Sequence, residues 1–487
     1  MQDAGAQATR VAETHSAVVV LVGDRAYKWK KAVDLGFLDF RDLEQRALAC
    51  RRELELNRRL APDVYLDVAT VTAQDGTPVE HLLVMRRLPD DRRLAALVQQ
   101  GGDVDGCLRE VARAVTGLHA RTVTAAAADA ASVGALRANW EDNLAVLRKA
   151  GAAYLDGEEV ERAAALSSAY LDGRGPLFAE RAELACDGHG DLLADDIFCL
   201  DDGPRIIDCL DFAEQFRLGD PLLDAAFLVM DLARLDRADL GERFLAWYGE
   251  FSGQPFPRTL AHHYVAYRAH VRAKVAVLRA EQGDEQAPAQ GRRLHALCCE
   301  RLVAGQVPLV LVGGLPGTGK STVAGALADA FGWALLSSDA LRKERLGLER
   351  GRSAPAGAYT REARSAVYRA LLDRAGTLLA RGEPVVLDAS WVEEDWREAA
   401  AATARAAAAP CVAIRCDAPA AVARERLERR ARQGTSASDA TPAVLDDLAR
   451  HMGPWPLAQD LDTHADIDGV VAAGVDLVRT ALGMPAE

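Results

Sequence analysis

Two stretches of this chain place chemically useful residue types at useful spacings. "GGLPGTGKST", Gly313 to Thr322, satisfies GxxxxGK[ST] from Gly314 to Ser321. In such a loop Gly314, Gly317 and Gly319 let backbone N–H groups curl around phosphate oxygens, with Thr318 and Thr322 in the same binding set. Lys320 reaches the outer phosphates, and the Ser321 hydroxyl ligates Mg²⁺. The second stretch, "CDGHGDLLADDIFC", sets His189-Gly190-Asp191 five residues ahead of Asp196, and "IIDCLDF" puts Asp208 twelve residues further on. That spacing suits a base that takes a hydroxyl proton, Asp191, and two Mg²⁺ ligands, Asp196 and Asp208, with Asp208 predicted at a strand end. Upstream, Lys28 or Lys30, both on one strand face, would pair with Glu53 and orient a nucleotide. Taken singly, each acid reads as a cap or a surface residue; the combination points to a nucleotide site.

The elements that must position these residues are legible in outline. "SAVVVLVGDRAYKWKKAV" predicts a β-hairpin turning at Gly23-Asp24, with Tyr27/Trp29 alternating against Lys28/Lys30. "FRDLEQRALACRRELELNRRLAP" predicts an amphipathic helix with Leu43, Ala47, Cys50, Leu54 and Asn57 on one stripe, closed by Pro62. "HLLVMRRLP" reads as a buried strand running into a linker, Asp91 to Glu180 as helices, and "PRIIDCLDF" as a short strand followed by helices up to "RRLHALCCERL".

A new segment opens at "GQVPLVLVGG". Its strand leads into the glycine loop, Val323, Leu327 and Phe331 mark a helix ending at Gly332, and "WALLSSD", "PVVLDAS" and "CVAIR" are further strands. That alternation predicts a parallel α/β sheet and a boundary near residue 305. Asp339, in "SSDALRKE", reads as the end of the second strand, placed to accept an acceptor hydroxyl's proton, with Arg342 holding an anion. Asp388 ends "PVVLD", where it would hold a Mg²⁺-bound water. "DAPAAVARERLERRARQ" carries Arg424, Arg426, Arg429, Arg430 and Arg432 ahead of the polar loop "GTSASDAT". Arg426 and Arg430 on such a lid would neutralise charge on a transferred phosphoryl group, while a solvated face is an equally good reading of any single arginine.

Composition bounds the partners. The 487 residues are too many for one ordinary core, 49% are hydrophobic and 27% charged, and the formal charge is −14. Residues 305–487 carry 21 basic and 24 acidic side chains, the remainder 37 and 48, so neither part is a basic nucleic-acid or membrane-surface binder. "MQDAGAQATR" lacks the apolar core of a signal peptide, no apolar run is long enough to span a bilayer, and the nine cysteines, without a CxxC pair, read as reduced, mostly buried thiols of a cytoplasmic protein. Only seven of the 58 basic residues are lysines, among them Lys28, Lys30, Lys31 and Lys320. An Arg-rich chain that keeps lysine there keeps a compact point charge where phosphate binding would use it, the alternative reading being drift within an Arg-rich composition.

The His189–Asp196 spacing resembles the aminoglycoside phosphotransferase family, which has a kinase-like fold and writes this loop H-G-D-L-H-x-x-N. "YKWKKAVDLGFLDF", "ELELNRRLAP", "VMRRLP", "DGHGDL", "DCLDF" and "RAHVRAKVAVLRA" carry a resemblance to bacterial two-domain proteins that join such a domain to a P-loop kinase. The phosphate loop, "SSDALRK" and the Arg-rich helix resemble small P-loop kinases such as gluconate kinase, the kinase part of polynucleotide kinase and zeta-type toxins, over residues 306–480. The resemblance implies a protein-kinase-like N-terminal domain over 1–304, with a small β-rich lobe to about residue 90 and a helical lobe from 91. A P-loop NTPase domain with a parallel α/β sheet follows over 305–487. It implies that "VMRRLP", with Met85, is the hinge strand that receives adenine. Two positions depart from the family: Asp196 stands for its Asn and Leu193 for its second His.

These readings converge on a cytoplasmic, ATP- and Mg²⁺-dependent phosphotransferase for a small hydroxylated molecule (a sugar, an aminoglycoside-like compound or an amino alcohol), with no nucleic-acid or membrane partner. The rival readings are an ATP-binding regulatory or interaction protein with one vestigial kinase-like domain, a toxin-type kinase and a nucleic-acid end kinase.

Overall fold

The computed structural model describes residues 10–13, 17–34, 39–349, 352, 354–433 and 440–485. They pack as two compact units. The described residues of the first fall within 1–139, 179–256 and 267–297, and those of the second within 140–178, 257–266 and 298–487.

The first unit opens with five antiparallel strands, β1 (Arg10–Glu13), β2 (Ala17–Val22), β3 (Arg25–Lys30), β4 (Tyr65–Thr72) and β5 (Pro78–Arg86), in the order β1-β2-β3-β5-β4. Gly23-Asp24 forms the two-residue turn, and Gly23 supplies the left-handed conformation it needs, at φ 58°. The sequence pattern did not reveal β1 or β4. Between β3 and β4 lies the helix Leu43–Asn57, whose first N–H groups are capped by Asp42. Its buried face is Arg46, Ala47, Cys50, Glu53, Leu56 and Asn57, rotated from the apolar stripe that includes Leu43 and Leu54. The rotation follows from partners: Arg46 donates to Glu80 and to the carbonyl of Phe40, and Glu53 meets two lysines. Ala26, Ala61, Val64, Tyr65, Leu83 and Met85 form the core beneath this sheet.

Helices and two short ribbons follow, β6 (Cys186–Asp187) with β9 (Leu218–Gly219) and β7 (Ile197–Leu200) with β8 (Gly203–Ile206). A small β-rich lobe with one packed helix, then a helical lobe, is the plan of a kinase-like fold. The reading of the cysteines as reduced thiols is corrected at one pair. Cys107, on the helix Asp105–Arg121, and Cys199, on β7, form a disulfide with Cα atoms 5.7 Å apart. A separation of 92 residues made that pairing invisible in the spacing. Cys50, Cys186, Cys209, Cys298 and Cys416 are buried free thiols, Cys299 is half-buried and Cys411 is exposed.

In the second unit β10 (Leu309–Gly313), β11 (Ala334–Ser337), β12 (Val385–Asp388), β13 (Cys411–Asp417) and β14 (Ala458–Asp462) form a wholly parallel sheet, ordered β11-β12-β10-β13-β14. This is the P-loop NTPase sheet. Val310, Val312, Val386 and Ile414 pack against Val323 and Leu327 of the helix Lys320–Phe331 and against Val478 of the helix Ile467–Leu482. The edge strand β14 was not anticipated, because "AQDLD" is mostly polar and only Leu461 is buried. Among the described residues, no helix is long and apolar enough to cross a membrane.

Candidate functional site

In the first unit the period-two geometry of β3 turns Lys28 and Lys30 to the same side, and both reach one carboxylate. Lys28 Nζ lies 2.7 Å from Glu53 Oε1 and Lys30 Nζ 2.8 Å from Glu53 Oε2. Lys28 also stands 2.9 Å from Asp208 Oδ1, and Lys30 2.6 Å from Asp211 Oδ2. Two ammonium groups thus face three carboxylates. Burial works against the charge on Lys28, but Asp208 and Glu53 more than offset it and hold it protonated well above its ordinary value. Lys28 in turn lowers the carboxyl of Asp208. The sequence reading missed Asp211, although "DCLDF" contains it.

Asp208 does not end a strand, as the sequence suggested. β8 stops at Ile206, and Asp208 takes a left-handed conformation in the following coil, φ 60°. It is pinned there by neighbours: its N–H donates to Tyr65 Oη at 3.1 Å, and that of Cys209 to Asn57 Oδ1 at 2.8 Å.

The loop bearing Asp191 is held from below by a buried acid that the sequence reading did not single out. Asp224, on the helix Pro221–Arg234, accepts from His189 N–H at 2.8 Å and Gly190 N–H at 2.7 Å, and is hydrogen-bonded to His119 Nε2 at 2.9 Å. Asp231, two turns on, accepts from Ala194 N–H at 2.9 Å. Acids spaced seven apart in the apolar run "DPLLDAAFLVMD" were the available signal. Gly190 is required at its position: φ is 87°, and a Cβ would come within 2.8 Å of Arg217 Cγ.

Asp191 and Asp196, half-buried, complete the constellation. Loss of surrounding water raises Asp191, opposed by Arg272, whose Nη1 lies 3.8 Å from Asp191 Oδ1. Burial pushes Asp196 well above the usual carboxylate range, and repulsion from Asp208 and Asp191 adds to it. The Met85 side chain lies in the core cluster under the sheet, and Leu88 of the same "VMRRLP" stretch packs against that cluster.

In the second unit the loop after β10 turns through left-handed Gly314, Gly317 and Gly319, at φ 137°, 85° and 88°. A Cβ on Gly317 would come within 2.4 Å of Ala423 O. Lys320 and Ser321 open the helix Lys320–Phe331, and Thr322 N–H bonds back to Gly319 O at 3.0 Å. Thr318 Oγ1 closes the loop on Leu315 O at 2.8 Å. Asp388 ends β12 as read from the sequence, paired in register with Ser337. Its Oδ2 accepts from Ser337 Oγ at 3.1 Å, while its Oδ1 is buried without a hydrogen-bond partner among the described residues. Burial raises this carboxyl, against the attraction of Lys320 and the pull of the nearby Ser321 hydroxyl. Asp339 is not at a strand end; it sits in the first turn of the helix Ser338–Arg345, ion-paired with Arg342 one turn on. Arg342 is buried and lies 4.8 Å from the ring centroid of Tyr359.

A pocket of about 330 Å³ adjoins this loop, lined by Gly319, Thr322, Arg426, Arg430, Thr463 and Val470. Arg426 Nη2 donates to Thr463 O at 2.8 Å, and Thr463 Oγ1 sits 2.5 Å from Thr318 O. Thr463 and Val470 went unnoticed because β14 did. Arg424 is turned to Asp446, 2.5 Å away. Most of the polar loop "GTSASDAT", residues 434–439, lies outside the described residues.

Among the described residues, no three His, Cys, Asp or Glu side chains form a ready metal cage. Mg²⁺ does not require one: it commonly keeps waters and takes one or two carboxylates together with substrate phosphates. The orphaned Asp388 Oδ1 beside Ser321 fits that demand, as do Asp196 and Asp208.

The fold and these sites define a nucleotide-phosphate-binding protein with a kinase-like module ahead of its P-loop domain. A family profile described as AAA domain matches residues 309–455. "Uncharacterized protein Rv2004c" of Mycobacterium tuberculosis is 40% identical over 479 residues, covering 97% of this chain and 96% of that protein. The chain belongs to the same family as this mycobacterial protein. Similar solved structures include a choline/ethanolamine kinase family protein from Mesorhizobium loti, 19% identical over 62% of this chain and 93% of that one with a TM-score of 0.40. A gluconokinase from Sinorhizobium meliloti is 21% identical over 36% of this chain and 94% of that one, with a TM-score of 0.28.

Proposed function

We propose that the protein is a cytoplasmic, ATP- and Mg²⁺-dependent phosphotransferase for a small hydroxylated molecule, with one nucleotide site in the kinase-like domain, 1–304, and one in the P-loop domain, 305–487. The observation that carries this reading is the buried, half-satisfied Asp388 carboxylate beside Lys320 and Ser321. A buried acid kept this way costs free energy unless a cation completes it. Asp388 and Ser321 would hold Mg²⁺, which would supply charge neutralisation at the phosphates. Asp339 would take the acceptor hydroxyl's proton and Arg342 would steady an anionic group of the acceptor. Arg426 and Arg430 line the pocket beside Gly319 and Thr322, where they would offset charge developing on the transferred group.

In the kinase-like domain Asp191 is the base, and Asp196 and Asp208 are the metal ligands. Lys28 is oriented by Glu53 and binds phosphate, and the hinge strand "VMRRLP", with Met85, receives adenine. The acceptors proposed are sugars, aminoglycoside-like compounds and amino alcohols. Net acidity of both parts opposes a nucleic-acid acceptor.

The test is ADP release by the full chain against a panel of sugars, aminoglycosides, amino alcohols and nucleosides, repeated with Lys320→Ala and Asp191→Asn. An acceptor that stimulates release should lose its effect in one of the two variants. Slow hydrolysis that no acceptor stimulates would replace this reading with that of an ATP-driven regulatory protein.

A further inference from the structure

Away from the phosphate loop, the second unit encloses a cavity of about 310 Å³ with mostly apolar walls, among them Leu166, Ala169, Leu302, Val307 and Pro410. Among the described residues one charged side chain borders it. Arg174, which follows the helix Gly157–Gly173, is 1% exposed. Its Nη1 donates to Ala407 O, its Nε is buried without a partner, and its guanidinium lies 5.3 Å from the Tyr170 ring centroid. Among the described residues no carboxylate pairs with it. Burial draws the group down to about 10, so it stays a cation at neutral pH. His263 lines the same cavity, stacked on Tyr170 at 4.4 Å between ring centroids, with its Nδ1 buried and unpartnered. Burial and the neighbouring Arg174 hold His263 neutral, down to about 3, so it adds a polar contact and no charge.

Buried cations are ordinarily paired with an acid of the same chain, and this one is not. The wall that surrounds it has the size and apolar character of a small-molecule site with a few convergent polar groups. We propose that this cavity is a binding site for a monocarboxylate with an aliphatic or aromatic body, its carboxylate on Arg174 and its body against Leu166, Ala169, Leu302 and Val307. A guanidinium matches a carboxylate bidentately, which sets the polarity of the ligand; the single uncompensated charge sets its valence; and the apolar wall demands a body as well as a head.

The experiment is calorimetric titration of the full chain with octanoate, and with 1-octanol and acetate as the body without the charge and the charge without the body. Octanoate should bind saturably at one site, at least tenfold more tightly than either control. Arg174→Gln should reduce octanoate to the affinity of octanol, and Ala169→Phe, which fills the cavity, should abolish binding of both. Equal affinities for octanoate and octanol in the parent protein would overturn the proposal, as would octanoate binding that survives Ala169→Phe. Should Arg174→Gln fail to fold, the comparison of octanoate with octanol in the parent and the Ala169→Phe result decide the matter between them.

Discussion

Lys28 and Asp208, 180 residues apart in the chain, meet at 2.9 Å between Nζ and Oδ1. The same ammonium is 2.7 Å from Glu53, so one point charge bridges the small lobe's helix and the coil after β8. Lys30 completes a second, more enclosed pair with Glu53 and Asp211, its side chain 5% exposed against 16% for Lys28. The two lysines therefore divide their labour, and the more exposed one points at the metal-ligand candidate.

Lys28→Ala should weaken nucleotide binding at the kinase-like site at least tenfold while leaving most stability in place, since Glu53 retains Lys30. Lys30→Ala should act chiefly on stability, by about 3 kcal/mol, because it leaves Asp211 without its cation and strips one from buried Glu53. Calorimetry with a non-hydrolysable ATP analogue, in a Lys320→Ala background, reads the first effect. Urea denaturation reads the second. The reverse pattern would exchange the roles of the two residues.

The two proposed phosphate sites, one in each unit, predict two nucleotides per chain. Titration with the analogue and Mg²⁺ should give a stoichiometry of about two, falling to one in Lys320→Ala or Asp208→Ala and to none in the double variant. A parent stoichiometry of one, lost on Lys320→Ala, would reduce the kinase-like module to a scaffold.

Asp196 supplies a signed pH prediction. Its folded-state affinity for a proton is raised, so its contribution to stability is fully present below the ordinary carboxylate value near 3.9 and is lost as pH rises through the raised value. Above the ordinary carboxylate value the group therefore opposes folding of the nucleotide-free protein. Asp196→Asn should raise the melting temperature of that form by about 2–4 °C at pH 8, the scale of about 1 kcal/mol, with a smaller gain at pH 5. The same variant should gain less stability from Mg²⁺-ATP than the parent does. Melting curves at both pH values, with and without Mg²⁺-ATP, check this; a lowered melting temperature in the nucleotide-free form would show that the carboxylate has a structural partner.

What the chain's order of residues determined by itself is local. The phosphate loop was readable because its glycines, Lys320 and Ser321 lie within one strand-turn-helix, where spacing dictates geometry. The turn at Gly23-Asp24 and the shared face of Lys28 and Lys30 followed from short-range periodicity for the same reason. Tertiary structure alone decided which partners those residues meet. Asp208 and Asp211 reach β3, Cys199 reaches Cys107, and Asp224 holds the Asp191 loop, because each contact joins segments whose separation carries no periodic signal. Burial of Glu53 rotated its helix off the expected stripe, since two ammonium groups outweigh an apolar match. Thr463 and Val470 joined the phosphate-loop pocket through a polar edge strand whose pairing, rather than its composition, makes it a strand.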